Sequence, residues 1–372
     1  MKIKKYPVTF VFLGFVLIFA ILLCVLPKES YSENEKRYLA EAPAFSMEAV
    51  ADGSYFSQWE TYISDHFPFR DAFVGVNAYY ALLTGRNGVS GVYKAKDGYL
   101  ITAPGALDTQ RCARNAKLLS DFARDNGLTA SLLLVPTAGY TLERYLPNNH
   151  APYYDDEIFR VAEDAFGDRL IDLRPVFSEN ADTQLYYKTD HHLTAAGSYL
   201  MYQTFCKESG LAYTTDFSEK EVLDGFYGTA YSKSGLWFEK PDTLEVWHPA
   251  ASSEFEVTID DVTTARTYSS LYFYEHAEDA DKYPVYLDGN HALVTIRNKS
   301  NPNGRKLLIL KDSYAHCFAT YLCENYEEIY MIDLRYYRLS VSEFVQDNGI
   351  TELLYLYGAE NFASLSDIGW LR

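Results

Sequence analysis

The stretch Leu307-Leu308-Ile309-Leu310-Lys311-Asp312-Ser313-Tyr314 decides the fold predicted for this chain. Its apolar run stops abruptly at a polar triplet, and residues 315–323 then follow a helical pattern. A buried strand that ends in a tight turn presents the turn residues at the edge of a sheet, and the free backbone N–H groups of the next helix point toward that edge. The stretch therefore predicts a strand, a turn and a helix with the Ser313 hydroxyl at the tip, which is half of an acyl-transfer site.

A second segment carries the groups that such a serine needs. Residues 187–197 read YKTDHHLTAAG and contain Asp190, His191 and His192. Serine is a weak nucleophile, so an imidazole has to take its proton and a carboxylate has to hold that imidazole in one tautomer. Asp190 and His192 can supply both groups.

The apolar and helical segments alternate along most of the chain. At 372 residues with 48% apolar content, the chain can bury one large core or two modest ones. Short apolar runs at 130–135, 169–173, 306–310, 328–333 and 351–357 predict strands, and periodic stretches at 108–126, 155–166, 195–208 and 340–348 predict helices. This alternation predicts an α/β fold with a parallel sheet, whose ligands bind beyond the carboxyl ends of the strands. Both Ser313 and Asn361 follow such ends.

The N-terminal segment is predicted to cross a membrane. Residues 8–26 contain no charge and follow Lys2, Lys4 and Lys5. About 20 apolar residues span a bilayer, and the lysines favour a cytoplasmic N-terminus with the remainder outside. A cleaved signal peptide is the alternative, but its apolar region is usually about 7 to 15 residues long and ends at a small-x-small site, which is missing here. We therefore favour a single-pass signal anchor.

Charge and cysteine content restrict the partners. The formal net charge of −18 disfavours nucleic acid and polyanionic polymers. Outside the membrane a disulfide is feasible, but spacing does not identify pairs among Cys112, Cys206, Cys317 and Cys323. No CxxC pattern is present, so a zinc site is not expected.

The chain is predicted to divide into five parts. A tail and anchor occupy 1–30, and a helical extension with a β-hairpin around Asp97-Gly98 occupies 31–105. The α/β domain is expected in two pieces, 106–214 and 306–372. Between them, 215–305 is rich in Thr, Ser, Tyr and Asp with short alternating runs, and it predicts a β-rich insertion.

The order of these blocks resembles a circularly permuted SGNH hydrolase. In SGNH hydrolases a G-D-S strand comes first and a D-x-x-H block comes late, whereas here the late block precedes the serine. The permuted order and the anchor are similar to the DHHW family and to the alginate O-acetyltransferases of bacterial envelopes. The motifs that carry the likeness are Asp65 to Arg70, Asp97 to Leu100, Leu134 to Pro136, Thr189 to Leu193 and Lys311 to Tyr314. The chain departs from these patterns at three places: Lys311 replaces the glycine of G-D-S, Leu193 replaces the tryptophan of D-H-H-W, and two residues instead of one separate Gly358 from Asn361.

The resemblance implies a role for each matched residue. It makes Ser313 the nucleophile, His192 the general base and Asp190 the orienting carboxylate. Asn361 is expected to donate to the oxyanion with the backbone N–H groups of Ser313 and of residues 333–335. Candidates for substrate contact are Tyr314, His191, Tyr231 and Arg335.

The implied activity is transfer of an acetyl group to hydroxyls of a cell-envelope or secreted polysaccharide. The implied donor is a membrane-bound O-acyltransferase, and no cofactor or metal is expected. A carbohydrate esterase and a non-catalytic glycan-binding subunit stay open as alternatives. Asp-His-His also occurs in metal-dependent phosphoesterases, but their sites need further clustered carboxylates that this sequence does not offer.

Overall fold

The computed structural model describes residues 6–251, 253–261 and 263–371. They form two compact units: one runs to Ser90 and includes Tyr231–Phe238, and the other comprises Gly91–Ala230 and the chain from Glu239. The finer division predicted from the sequence, at residues 30, 105, 214 and 305, stays a prediction.

The first unit is mainly helical. Its elements are α1 (Pro7–Val25), β1 (Tyr31–Ser32), β2 (Arg37–Tyr38), α2 (Met47–Ala51), α3 (Ser54–Asp65), α4 (Arg70–Leu83) and β3 (Gly88–Val89). Helix α1 has a mean hydropathy of 3.1 and no buried residue, and it is long and apolar enough to cross a membrane. Helices α2 and α3 are separate, because Gly53 adopts a φ of 84° between them.

The second unit is built around an eight-stranded sheet. The strands of this unit, including four outside the large sheet, are β4 (Val92–Lys94), β5 (Leu100–Thr102), β6 (Thr129–Val135), β7 (Leu170–Asp172), β8 (Phe217–Phe226), β9 (Asp242–Pro249), β10 (Phe255–Asp260), β11 (Ala265–Tyr268), β12 (Leu293–Asn298), β13 (Lys306–Lys311), β14 (Glu328–Ile332) and β15 (Glu352–Gly358). The large sheet has the order β11-β10-β12-β14-β13-β15-β6-β7. Neighbours from β14 to β7 are parallel, and β12, β10 and β11 extend the sheet in antiparallel pairs.

Helices cover both faces of this sheet. The helices of this unit are α5 (Thr109–Asp125), α6 (Ala138–Thr141), α7 (Asp155–Phe166), α8 (Arg174–Glu179), α9 (Ala195–Glu208), the beginning of α10 (Thr229–Ser234, which ends in the first unit), α11 (Ala315–Leu322), α12 (Val341–Asn348) and α13 (Ala359–Ser364). Along β13, Leu307 and Ile309 join one hydrophobic cluster, whereas Leu308 and Leu310 join another. The continuous apolar run thus reflects a strand that is buried on both faces.

The β-rich stretch between residues 215 and 305 contributes two kinds of structure. Strands β8 and β9 pair as an antiparallel hairpin, while β10, β11 and β12 belong to the large sheet. Parallel strands place their carboxyl ends along one edge. Residues 312–313, 333 and 359–361 follow β13, β14 and β15 at that edge.

Candidate active site

The turn after β13 is held by the carboxylate of Asp312. One of its oxygens accepts a hydrogen bond from the Tyr314 backbone N–H at 3.0 Å. The other accepts from the Gly358 N–H at 2.8 Å and from Asn361 Nδ2 at 2.7 Å. Burial raises the pKa of Asp312, and these three hydrogen bonds oppose the rise. The network ties the ends of two neighbouring strands together, so the position of Ser313 is set by the sheet.

Tyr314 joins this turn to the Asp-His-His segment. Its hydroxyl donates to the backbone carbonyl of His191 at 2.9 Å. A Cβ on Gly358 would lie 2.7 Å from the Tyr314 ring, so only glycine leaves room for the ring there. Tyr314 is only 6% exposed, and its hydrogen bond to His191 links two segments of the fold.

Ser313, His192 and Asp190 form a continuous hydrogen-bonded chain. His192 Nε2 lies 2.7 Å from Ser313 Oγ, and His192 Nδ1 lies 2.5 Å from Asp190 Oδ1. The two segments are 121 positions apart in the sequence. An Nδ1–H that donates to the carboxylate leaves the Nε2 lone pair facing the hydroxyl, which is the arrangement required for a general base.

The Asp190 carboxylate is itself held at both oxygens. Oδ1 also accepts from the His192 backbone N–H at 2.8 Å, and Oδ2 accepts from the Thr229 N–H at 2.6 Å and from Thr229 Oγ1 at 3.0 Å. A Cβ on Gly228 would lie 2.1 Å from Asp190 Cβ, so glycine is required for this approach. Burial alone raises the pKa of Asp190, but His192, His191 and the hydrogen bonds together hold it well below its usual range. The carboxylate is therefore ionised at neutral pH.

Tyr283 covers the imidazole of His192. The two rings are stacked, with centroids 3.8 Å apart and planes inclined by 10°. The Tyr283 hydroxyl donates to the backbone carbonyl of Ser313 at 3.2 Å. Tyr283 thus fixes both the tilt of the His192 ring and the backbone of Ser313.

Asp190, His191 and His192 offer ligand atoms that lie within 4.8 Å of one another, as a metal site would require. Their atoms are already used: His192 bonds to Ser313 and Asp190, and Asp190 Oδ2 bonds to Thr229. His191 Nδ1 lies 2.8 Å from Thr229 Oγ1. A metal ion would replace hydrogen bonds that the fold satisfies, so the donor set fits a proton relay better.

Lys311 occupies the position of the glycine in the G-D-S motif. Its side chain is completely buried beside the turn. Its Nζ lies 2.7 Å from His316 Nε2 and 3.7 Å from Asp333 Oδ2. Burial lowers the pKa of Lys311 to about 8, although the charge of Asp333 opposes the shift. Arg335 Nη2 donates to Asp333 at 2.6 Å. A charged cluster therefore lies behind the serine turn.

The remaining predicted site residues have other partners. Asn361 donates to Asp312, and Arg335 is half exposed with a further bond of 3.2 Å to Asn290 Oδ1. Tyr231 belongs to the first unit, where its hydroxyl donates to the Trp237 carbonyl at 3.3 Å. The predicted oxyanion role of Asn361 and the predicted substrate contacts of Arg335 and Tyr231 stay predictions.

Three contributors were not predicted from the sequence. Thr229 lies in the stretch 228–235, which the sequence leaves open as a substrate loop or a turn, and Tyr283 has no motif around it. The sequence shows a lysine at the end of an apolar strand, and this pattern does not predict that the Lys311 side chain is buried. The four cysteines that follow α1 are buried and form no disulfide: Cys112, Cys206, Cys317 and Cys323.

Comparisons with known proteins agree on the fold. A family model described as "DHHW protein" matches residues 35–96 and 173–332, which include Asp190, His192 and Ser313. The structure of a DHHW family protein from Eubacterium siraeum is 26% identical, with a TM-score of 0.66, and the match covers 77% of this chain and 97% of that one.

Two more distant structures are also similar. Bacillus cereus PatB1, solved with a sulfonyl adduct, is 21% identical with a TM-score of 0.63, over 76% of this chain and 98% of that one. The O-acetyltransferase domain of Pseudomonas putida AlgJ is 13% identical with a TM-score of 0.47, over 76% of this chain and 95% of that one. No curated protein matches the sequence.

Proposed function

The chain belongs to the DHHW family, and from that premise we propose that it is an extracytoplasmic serine O-acetyltransferase acting on a cell-envelope or secreted polysaccharide. The observation that carries the proposal is the hydrogen-bonded chain from Ser313 Oγ through His192 to Asp190. The ionised, buried Asp190 stabilises the imidazolium that forms when His192 takes a proton.

The proposed reaction has two half-reactions. His192 Nε2 takes the Ser313 proton as Oγ attacks the acetyl carbonyl carbon of the donor. The bond to the donor oxygen then breaks, and His192 returns the proton to that oxygen. In the second half an acceptor hydroxyl loses its proton to His192 and attacks the acyl-enzyme, and Ser313 Oγ leaves with that proton. Acetyl is transferred with no net change in protons.

The developing oxyanion needs hydrogen-bond donors. The Ser313 backbone N–H has no acceptor among the residues that the structure describes, so it is available for this role. Asn361 uses one amide hydrogen on Asp312, and the second is the one we assign to the oxyanion. A single such donor typically contributes about 100- to 1,000-fold in rate.

We also propose that the second unit is a permuted SGNH-like domain, made of 106–214 and 306–372 around the insertion 215–305. In the restored order, β13, β14, β15, β6 and β7 become strands one to five. Their arrangement in the sheet, β14-β13-β15-β6-β7, is then 2-1-3-4-5, a doubly wound order. The nucleophile follows strand one, as it does in the unpermuted family.

The proposed location is the outer face of a cell membrane, with α1 as a single-pass anchor. Its 19 uncharged, mainly apolar residues and the preceding lysines support this orientation. The donor would be a membrane-bound O-acyltransferase that supplies acetyl groups from the other side.

The test uses the purified full chain with 4-nitrophenyl acetate, with and without oligosaccharides and with a chelator throughout. We expect acetylated oligosaccharide in mass spectra of the wild type, and none with Ser313→Ala. Acetate release that no glycan alters would instead identify a carbohydrate esterase. Unchanged turnover in Ser313→Ala would exclude the serine mechanism, and activity abolished by the chelator would favour a metal at the Asp-His-His segment.

A further inference from the structure

Helix α4 presents an uncharged apolar face to the outside. Phe69, Phe73, Val76, Tyr80 and Leu83 are between 45% and 86% exposed. The four within the helix are spaced by three, four and three residues, which places them on one side of it, and Phe69 immediately precedes the helix. Residues 72–84 include no charged side chain, although 23% of the chain is charged. An outward face of this composition marks a contact surface.

The opposite face of α4 is fixed within the first unit. A Cβ on Gly75 would lie 2.8 Å from the Trp237 ring, and Trp237 Nε1 donates to the Asp71 carbonyl at 3.0 Å. The Phe238 backbone N–H donates to the Tyr79 hydroxyl at 3.0 Å, and the two rings are stacked. The helix therefore cannot roll to bury its apolar side.

The outward face of α4 adjoins the apolar helix α1. The Phe19 ring is stacked on Phe67 with centroids 5.2 Å apart, and it lies 5.9 Å from Phe73. Phe19 precedes the end of α1 at Val25 by six residues, which is about 9 Å along a helix. A helix lying in a membrane interface buries its apolar side about 5–10 Å below the headgroups. The contact of Phe19 with Phe67 and Phe73 thus lies at the depth below the headgroups that the apolar side of an interfacial helix reaches.

The backbone at the start of α4 also presents an apolar ring outward. Phe69 has a φ of 59°, a left-handed conformation that is rare for bulky residues, and its side chain is 62% exposed. Such conformations are strained, and they persist where the surroundings or a function require them.

We propose that α4 lies in the plane of the membrane with this face against the acyl chains of the outer leaflet. The inference rests on the proposed anchor and extends it, because α1 and α4 together attach the first unit at two points. Since the face is uncharged and the chain has a net charge of −18, attachment depends on apolar burial and not on anionic lipid.

The test places an environment-sensitive NBD fluorophore on α4 of the full chain in phosphatidylcholine vesicles. Cys24→Ser removes the exposed cysteine and leaves the four buried ones. Val76→Cys and Leu83→Cys then each accept the fluorophore at an outward position. We expect blue-shifted emission, quenching by lipids with a nitroxide on the acyl chain, and little quenching by aqueous iodide. The control is Lys117→Cys on the exposed side of α5, where iodide should quench and the lipids should not.

The outcomes separate the proposals. A chain that floats with the vesicles while iodide quenches positions 76 and 83 would overturn the docking of α4 and leave the anchor standing. Blue-shifted emission that lipid nitroxides do not quench would replace the bilayer with a protein partner, such as a second copy. A chain that stays in solution would overturn both anchor and docking. Ester turnover in the same vesicles reports on Ser313 independently of all three.

Discussion

Two histidines lie near the end of β13, and their surroundings differ. His192 has a partner on each ring nitrogen, Asp190 on one side and the Ser313 hydroxyl on the other. His316 is 1% exposed, its Nε2 lies against Lys311, and its Nδ1 has no partner in the part of the chain that the structure describes. The ring of Tyr283 is near both, with centroids 3.8 Å from His192 and 6.1 Å from His316.

The difference shows what makes an imidazole a base. A carboxylate on Nδ1 stabilises the protonated ring, and a hydroxyl on Nε2 supplies the proton. Burial and the neighbouring Lys311 instead hold the pKa of His316 well below its usual value, so this ring stays neutral. Two identical side chains near one serine thus acquire different chemistry from their hydrogen bonds.

Removing the hydroxyl should have the largest effect. Ser313→Ala is expected to lower the acetyl-transfer rate by about 10⁴-fold or more, because loss of a triad nucleophile leaves only binding and oxyanion stabilisation. Steady-state turnover of 4-nitrophenyl acetate measures it, with the exposed Ser64→Ala on α3 as the matched control. An equal loss in both variants would contradict the assignment.

Removing the charge of the Asp190 carboxylate should have the next largest effect and tests whether His192 depends on it. Asp190→Asn is expected to reduce the rate by about 10³- to 10⁴-fold, since an amide in place of the carboxylate favours the wrong tautomer of His192. Thermal unfolding should show that the variant still folds. A folded variant with more than a tenth of the wild-type rate would mean that His192 does not depend on Asp190.

Thr229 tests whether the carboxylate has to be held. Thr229→Val removes the 3.0 Å hydroxyl bond to Asp190 and the 2.8 Å contact of the same hydroxyl with His191 Nδ1, but it keeps the backbone bond of 2.6 Å to Asp190. One lost bond to a charged group corresponds to about a tenfold lower kcat. Thr229→Ser keeps the hydroxyl and should keep the wild-type kcat. A pH–rate profile of Thr229→Val distinguishes a loss of Asp190 positioning from a general loss of structure. If Thr229→Val and Thr229→Ser have the same kcat, the hydroxyl has no part in holding Asp190.

Lys311 should affect stability more than rate. Its pKa is about 8 in the folded chain against 10.5 ordinarily, so between these values the unfolded chain binds more protons and stability rises with pH. From pH 7 to pH 9 this contributes roughly 1 kcal/mol.

Urea unfolding at the two pH values measures that contribution. Lys311→Met should lack the rise, whereas Lys117→Met, at an exposed position on α5, should keep it. Identical pH dependence in all three proteins would show that Lys311 titrates normally.

Several elements of the fold follow from local pattern. The run at 307–310, the helix capped by Thr194 and the hairpin at Asp97-Gly98 all form where apolar period, capping residue or turn residues predict them. The antiparallel extension by β10, β11 and β12 was not predicted, because periodicity identifies strands but not their neighbours.

The candidate site divides in the same way. Ser313, His192 and Asp190 were identified because each residue type has its own chemistry and each stands at an expected boundary. Thr229 and Tyr283 were missed, since a threonine or tyrosine acquires such a role only from what lies within hydrogen-bond or stacking distance.

The sequence alone determined the alternation of strands and helices, the apolar N-terminal helix and the residues capable of acyl chemistry, because these depend on neighbours along the chain. The three-dimensional fold placed His192, and not His316, against the Ser313 hydroxyl, buried Lys311 and left an uncharged face of α4 exposed. Those outcomes depend on contacts between segments distant in sequence, and on which groups they remove from water.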